Sequence, residues 1–252
     1  MPHWGWAGAS CRGVSHIKAG TRKQDAYSCF LAAGGETLVS IVCDGAGSAI
    51  YGGQGASIIC RTLSSTLRRH YKQSMNLPDD ESIWRWLDDA RDRIGLAANR
   101  LGRGPRDFAA TLILTVTNGK QTLVAHIGDG SSVVRLAEDG VWSAMSWPAQ
   151  GEYASTTFFV TDDPAPRLRI IRSHLPIDAI ATFTDGIERL ALDYAAGEAH
   201  QPFFRGMIAP LEKSDAGGCD KRLSGDLAAY LDSPALCERT DDDKTLVLAV
   251  RR

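Results

Sequence analysis

The sequence lacks the patterns that would assign it quickly to several common classes. Thirty acidic and 28 basic residues among 252 give a net charge of −2, without the basic excess of most nucleic-acid-binding proteins. None of the six cysteines forms a C-x-x-C pair, which argues against a zinc ribbon or a thioredoxin-like motif. Apolar runs such as 38–43 and 246–250 are strand-sized, far below the roughly 20 residues of a membrane helix.

Familiar catalytic signatures are also missing. No G-K-[ST] follows a glycine-rich loop, and neither G-x-S-x-G nor H-E-x-x-H occurs. Gly45-Ala46-Gly47 begins like a dinucleotide fingerprint, but Ile50 stands where its third glycine belongs. Residues 1–12 have no basic segment or long apolar core of a signal peptide. Together with the cysteine pattern, this predicts reduced thiols and a cytoplasmic protein, with neither nucleic acid nor membrane as a partner.

The composition that is present is that of a globular domain, with 44% hydrophobic and 23% charged residues. We expect one domain over residues 1–252. Apolar residues at helical spacing predict two long helices, around 59–71 and 83–101, and weaker signals predict helices at 187–194, 203–211 and 224–231. Period-two patterns predict strands at 4–8, 25–32, 37–43, 108–116, 123–127, 131–136, 168–171, 179–184 and 245–250. Helices set between groups of strands predict antiparallel sheets covered by helices.

Aspartates follow several of these strand-like runs. Three of them stand in the pairs Asp44-Gly45, Asp129-Gly130 and Asp185-Gly186, and the cluster 241–243 precedes the final run. Several such carboxylates meeting at one rim would form an all-oxygen site for Mg²⁺ or Mn²⁺. The alternative is structural, because Asp-Gly is a common hairpin turn. Asp139-Gly140 fits that description, Asp129-Gly130 is compatible with it, and the triple aspartate is compatible with a solvated turn.

The order of these motifs resembles that of the metal-dependent protein phosphatases of the PP2C (PPM) family, in a bacterial form. Six short segments carry the resemblance across residues 8–250: Gly13-Val14-Ser15-His16 with Gly20 and Gln24-Asp25-Ala26-Tyr27; Val42-Cys43-Asp44-Gly45-Ala46-Gly47-Ser48 for D-G-x-G; Phe108-Ala109-Ala110-Thr111-Leu112; Ile127-Gly128-Asp129-Gly130 for G-D-S; Phe183-Thr184-Asp185-Gly186-Ile187 for S-D-G; and Asp242-Asp243-Lys244-Thr245 for D-N-x-T. Each segment is weak alone, but six in the right order are specific.

The resemblance implies an α+β fold, a four-layer αββα sandwich of two stacked antiparallel sheets flanked by helices. It implies a binuclear Mg²⁺ or Mn²⁺ centre with a third, weaker ion. Asp44 would bridge two ions, Gly45 would bind through its carbonyl, and Asp185 and Asp242 would complete one coordination shell. As further implied roles, Asp25 would orient metal-bound water and Asp129 would support the third ion.

Three departures from the family pattern bear on catalysis. Ala46 stands where many relatives have a histidine that could donate a proton. Gly20 stands where an arginine usually binds the substrate phosphate, so that Arg22 or Arg12 would have to substitute, or the metal ions would suffice. His16 is a further candidate for binding the phosphate. Asp243 replaces the usual asparagine and adds negative charge beside the metal site.

The function implied is hydrolysis of phosphoserine and phosphothreonine in a phosphorylated protein, opposing a cognate Ser/Thr kinase. Two alternatives remain open: a pseudophosphatase that binds a phosphorylated partner without turnover, and a hydrolase of another phosphoester. The complete set Asp44, Asp185 and Asp242 favours an enzyme. Residues 148–166, polar and proline-bearing, predict a flap that influences substrate choice, although a plain surface connection explains them equally well. Phe158 and Phe159 would anchor this flap or contact a partner.

Overall fold

The computed structural model describes residues 3–149 and 157–252. Its strands are β1 (Trp4–Cys11), β2 (Ala26–Ala32), β3 (Thr37–Cys43), β4 (Leu112–Thr117), β5 (Thr122–Ile127), β6 (Ser131–Leu136), β7 (Trp142–Ser146), β8 (Arg169–Ser173), β9 (Ile177–Phe183), β10 (Leu192–Asp193), β11 (Glu198–Ala199), β12 (Gly218–Cys219) and β13 (Lys244–Arg251). Its helices are α1 (Val14–Lys18), α2 (Gly52–His70), α3 (Asp80–Arg100), α4 (Glu188–Ala191), α5 (Gln201–Glu212), α6 (Lys221–Leu231) and α7 (Pro234–Cys237).

Two large sheets form the centre of the molecule. The first has the strand order β12-β1-β13-β9-β6-β7, and the second has the order β2-β3-β4-β5-β8. All neighbours are antiparallel except the short β12, which pairs parallel to β1. The sheets pack face to face through an apolar layer that includes Trp4, Leu38, Val42, Ile180 and Val247. The α+β sandwich predicted from the sequence is confirmed.

Helices cover the outer face of each sheet. Ile59 and Leu63 of α2, together with Ile94 of α3, are buried against the second sheet. On the other side, Phe204 of α5 and Leu227 of α6 are buried against the first sheet. These are the helical spacings seen in the sequence, since each helix buries one apolar stripe and exposes the opposite face. The result is the four-layer arrangement αββα.

Two predicted elements differ from the structure. The strand expected from Phe108 begins only at Leu112, because Pro105–Phe108 forms a 3₁₀ turn that buries Phe108 against Tyr51. The helix expected at 187–194 is limited to α4, after which β10 and β11 form a small hairpin. The Asp193 side chain accepts hydrogen bonds from the backbone N–H groups of Ala195 and Ala196, and this local turn competes with helix continuation.

Asp129-Gly130 is not a hairpin turn. The chain passes there from β5 in the second sheet to β6 in the first sheet. Gly130 is required at this crossing, since a Cβ there would lie 2.6 Å from the carbonyl oxygen of Phe183. By contrast, Asn118-Gly119 joins the paired strands β4 and β5. Asp139-Gly140 joins β6 and β7 in the hairpin turn that the sequence predicted.

Across residues 3–149 and 157–252, no helix combines the length and the apolar character needed to cross a bilayer.

Candidate metal and phosphate site

The aspartates singled out in the sequence meet at one end of the sandwich. Asp44 follows β3 of the second sheet, whereas Asp185 follows β9 of the first. Asp242 precedes β13, whose start lies beside the end of β9 because the two strands are antiparallel. Asp44, Asp129, Asp185 and Asp242 line a common cavity of about 690 Å³, together with Gly45, Ala46 and His16. Both sheets therefore contribute carboxylates to this cavity.

Backbone contacts fix Asp44 at the end of its strand. Its N–H donates to Thr111 Oγ1 at 2.9 Å, and the Thr111 N–H donates to the Asp44 carbonyl oxygen at 2.7 Å. Gly45 lies against the start of α2, where a Cβ would come within 2.3 Å of the Gly52 carbonyl carbon. A side chain at position 45 would thus displace the loop that presents Asp44 to the cavity.

Asp25 lies beneath the cavity and is only 5% exposed. Its Oδ2 accepts hydrogen bonds from the hydroxyls of Thr184, at 2.9 Å, and Thr245. Burial raises its pKa to about 7, against the stabilising effect of these two hydroxyls. Asp25 is not among the described residues that line the cavity.

The carboxylates make the cavity strongly electronegative. Burial raises the pKa of Asp44 well above its ordinary value, and the charges of Asp25 and Asp185 raise it further. The pKa of Asp185 is raised to about 7, first by burial and then by the charge of Asp129. The pKa of Asp129 is also raised, mainly by burial. Such a cluster is stabilised either by protons or by cations.

Unsatisfied oxygens point to cations. Oδ1 of Asp25 and Oδ1 of Asp185 are buried and accept no hydrogen bond from any described residue. Nowhere in the described ranges are three or more acidic, histidine or cysteine side chains grouped to surround a single ion. Mg²⁺ and Mn²⁺ take oxygen ligands and keep bound water, so the carboxylates that line this cavity fit such ions when water completes the shell.

We expect the protein freed of metal to lose stability as the pH rises from about 4 to about 7. In that window Asp25 and Asp185, both with a folded-state pKa of about 7, bind protons in the folded state but not in the unfolded state. The free energy of unfolding should fall by an amount on the order of a few kcal/mol and then level off. Thermal unfolding in chelator across this range measures it.

Mn²⁺ supplies the control for this pH series. With the ion bound, the carboxylates remain ionised, so the decline in melting temperature should disappear. A melting temperature that rises with pH in chelator would contradict the description of this site.

Asp243 holds together the segment 13–25, which carries the first of the six family motifs and is called the first-motif loop below. It is 1% exposed, and its Oδ1 accepts a hydrogen bond from the Gly13 N–H at 2.6 Å. Its Oδ2 accepts from the N–H groups of Gln24 and Asp25. His16 places Nδ1 3.0 Å from Oδ1 of the same carboxylate. The negative charge that Asp243 adds is therefore surrounded by three backbone N–H donors and the His16 ring.

The basic residues proposed to bind phosphate have different surroundings. His16 lines the cavity, whereas Arg22 is exposed and falls outside the described residues that line it. Arg12 donates to the carbonyl oxygen of His16 at 2.8 Å, which ties it to α1. Arg106, which the sequence did not single out, does line the cavity. It comes from the 3₁₀ turn before β4, and no local pattern connects that turn with the aspartates.

The described part of segment 148–166 approaches the same cavity. Thr157 and Phe159 line it, and the Thr157 hydroxyl donates to Asp129 Oδ2. Phe158 packs against the core beside the second sheet, and Phe159 packs against a small cluster that includes Ala46. Arg91 of α3 donates to the carbonyl oxygens of Val160 and Asp162, at 2.8 and 2.9 Å. Residues 150–156 of the predicted flap lie outside the described residues.

Comparisons with known proteins agree with this geometry. The family described as "Protein phosphatase 2C" matches residues 12–232. "Serine/threonine-protein phosphatase 3" of Escherichia coli (strain K12) is 36% identical over 251 residues, covering 98% of each chain. Among solved structures, PppA of Pseudomonas aeruginosa has a TM-score of 0.67 and 19% identity, with 100% of each chain covered. The catalytic domain of PstP, in complex with two manganese ions, has a TM-score of 0.60 and 16% identity, covering 100% of this chain and 99% of that one.

This chain belongs to the protein phosphatase 2C family. The resemblance identified from the six ordered motifs is thus confirmed.

Proposed function

We propose that this protein is a metal-dependent phosphatase that hydrolyses phosphoserine and phosphothreonine in proteins. The observation that carries the proposal is the convergence of Asp44, Asp129, Asp185 and Asp242 on one cavity, with carboxylates from both sheets. The Escherichia coli relative, named a serine/threonine-protein phosphatase, covers the same length and supports this class of substrate. No observation favours the pseudophosphatase, because the carboxylate set is complete.

Each residue has a role that the geometry supports. Asp44, Asp185, Asp242 and the Gly45 carbonyl would hold two ions, and Asp129 a third. When bound, such ions supply a water activated for attack on phosphorus and neutralise charge on the phosphoryl oxygens. Asp25, buried beneath the cavity, would orient that water. Such a mechanism needs no serine nucleophile, which agrees with the absence of G-x-S-x-G from the sequence.

Arg106 is our candidate for binding the substrate phosphate. Of the arginines considered, Arg12 is tied to the His16 carbonyl and Arg22 is exposed outside the cavity, whereas Arg106 lines it. We expect Arg106→Ala to raise KM for a phosphopeptide by about 10-fold with a smaller change in kcat, a loss of about 1.4 kcal/mol of binding. Steady-state kinetics at saturating Mn²⁺ measures it.

Arg103→Ala is the matched control for that substitution. Arg103 is an exposed neighbour of the same charge, and it is not part of the described cavity lining. An equal rise in KM in both variants would show that the effect comes from general surface charge, and would contradict the role of Arg106.

A polypeptide substrate fits the surroundings of the cavity. Arg106 also lines a neighbouring groove of about 1210 Å³ between α3 and residues 158–167. A chain entering the cavity with its phosphorylated side chain could extend into this groove. We therefore infer that residues 148–166 form a flap that selects substrates more than it supports chemistry. A Ser/Thr kinase as the opposing enzyme, and the cytoplasm as location, belong to the same proposal.

The deciding experiment compares substrate classes. Purified protein should hydrolyse phosphoserine and phosphothreonine peptides with added Mn²⁺ or Mg²⁺, and should lose this activity in excess chelator. Nucleotide and sugar phosphates at equal concentration test the alternative phosphoesters. Tight binding of the phosphopeptide without turnover in Mn²⁺ would establish the pseudophosphatase instead.

A further inference from the structure

A phosphatase must protonate the oxygen that leaves, because a serine or threonine alkoxide is a poor leaving group. General acid catalysis by a placed side chain commonly contributes about 10²- to 10⁴-fold. The described cavity wall offers Ser15, Thr21, Gln24, Ser48, Thr111, Thr157, Arg106 and His16 as candidates. Of these, histidine is the type that exchanges a proton near neutral pH. The aspartates cannot serve while they hold cations.

The surroundings of His16 define which ring nitrogen is available. Nδ1 lies 3.0 Å from Oδ1 of Asp243, which also accepts the Gly13 N–H, so Nδ1 carries a proton and donates it to the carboxylate. Nε2 is then the nitrogen that remains for a substrate. The His16 side chain is 15% exposed and lines the cavity with Asp44, Asp185 and Asp242.

The backbone of His16 is equally well fixed. Its carbonyl oxygen accepts hydrogen bonds from the Arg12 side chain at 2.8 Å and from the Thr21 N–H at 3.0 Å. The helix α1 is joined to the loop before β13, since the Ser15 N–H donates to the Asp241 carbonyl oxygen at 2.8 Å. A histidine held at three points beside a carboxylate cavity is preorganised for one task rather than mobile at the surface.

We propose that His16, oriented by Asp243, is the general acid that protonates the leaving oxygen. The inference rests on the proposed phosphatase function. As the phosphorus–oxygen bond breaks, its electron pair stays with the serine or threonine oxygen, which takes the proton from Nε2 and leaves as a free hydroxyl. The imidazole becomes neutral and recovers a proton from solvent, equal to the one released by the attacking water. His16 is then a catalytic residue, and Asp243 is a positioning residue.

The substitution His16→Asn isolates the proton from the structural contact. The amide nitrogen of asparagine can occupy the place of Nδ1 and still donate to Asp243, but it cannot deliver a proton. We expect kcat for a phosphoserine peptide to fall about 100-fold or more. The kcat for phenyl phosphate should fall less, because phenol has a pKa of about 10 and phenolate therefore needs less help from a proton donor than a serine alkoxide does. With p-nitrophenyl phosphate, whose leaving group needs no proton, kcat should stay within about 3-fold.

A control variant and a measurement of the ring tautomer test the role of the His16 proton. His174→Asn changes an exposed histidine between β8 and β9, at the sheet end opposite the cavity, and should alter neither rate. In the metal-free wild-type protein, ¹⁵N resonances of the neutral His16 ring should show the proton on Nδ1. A proton on Nε2 in that form would contradict the Asp243 contact and overturn the proposal.

The kinetic outcomes are equally decisive. An equal loss on the phosphoserine peptide and p-nitrophenyl phosphate would give His16 a structural role and overturn the proposal, as would full activity on the peptide. Failure of the wild-type protein to hydrolyse any of these esters in Mn²⁺ would instead refute the phosphatase function, which keeps the two failures distinguishable.

Discussion

Replacing Asp44 by asparagine should lower kcat/KM for a phosphopeptide at least ~10³-fold, about 4 kcal/mol of transition-state stabilisation. Asp44 lines the cavity with the other carboxylates, and burial, followed by the charges of Asp25 and Asp185, raises its pKa. Removing its charge weakens the attraction of the cavity for divalent ions. The melting-temperature increase that Mn²⁺ gives the wild-type protein should therefore shrink markedly in the variant.

The same substitution should stabilise the protein in chelator at neutral pH. A neutral side chain at position 44 relieves the repulsion among the buried carboxylates, so the melting temperature of the metal-free variant should exceed that of the wild type. Misfolding of the Asp44→Asn variant cannot explain a lower activity together with a higher melting temperature in chelator. Asp139→Asn is the control, because Asp139 also precedes a glycine but lies in the exposed β6–β7 turn. Wild-type activity in the Asp44→Asn variant would contradict the proposed metal site.

Replacing Asp243 by alanine should cost about 3–5 kcal/mol of folding stability. The carboxylate accepts hydrogen bonds from the N–H groups of Gly13, Gln24 and Asp25, and without it these donors lose their partner. Asp243→Asn keeps one of the two acceptor oxygens, so we expect roughly half of that loss. Denaturant unfolding in chelator measures both variants without interference from bound ions.

Asp241→Ala controls for the loss of a charge in the same loop. Asp241 is exposed, and the contacts from Ser15 go to its backbone carbonyl, which alanine retains. Its effect should stay within about 0.5 kcal/mol, as for most surface substitutions. Equal effects at positions 241 and 243 would show that the buried contacts of Asp243 do not support the first-motif loop.

Local sequence patterns were sufficient to predict most of the helices and strands. Period-two apolar runs and helical stripes are consequences of burying one face, so β3, β9, α2 and α3 could be predicted from spacing alone. The strand expected at Phe108 could not be corrected from sequence, because its burial depends on Tyr51, more than 50 residues earlier. A short apolar run does not reveal whether it packs in a sheet or beside one.

The site could be predicted only in part, for the same reason. Asp44 and Asp185 follow buried strands, which is a local signal, but Asp129-Gly130 reads identically to the hairpin pair Asp139-Gly140. Sheet membership decides between them, and no local pattern encodes it. Arg106 and the contacts of Asp243 depend on packing between distant segments, as the separation of 230 residues between Gly13 and Asp243 illustrates.

That separation also bears on synthesis of the chain at the ribosome. β13, which follows Asp243, is not an edge strand: it lies between β1 and β9 in the first sheet. While β13 is still untranslated, no strand connects β1 with β9, and Asp242, which directly precedes β13, is not yet held at the cavity. A nascent chain can form the helix-covered second sheet early, since β2 to β5 and β8 precede β9, but it cannot complete the proposed phosphatase site until β13 has emerged.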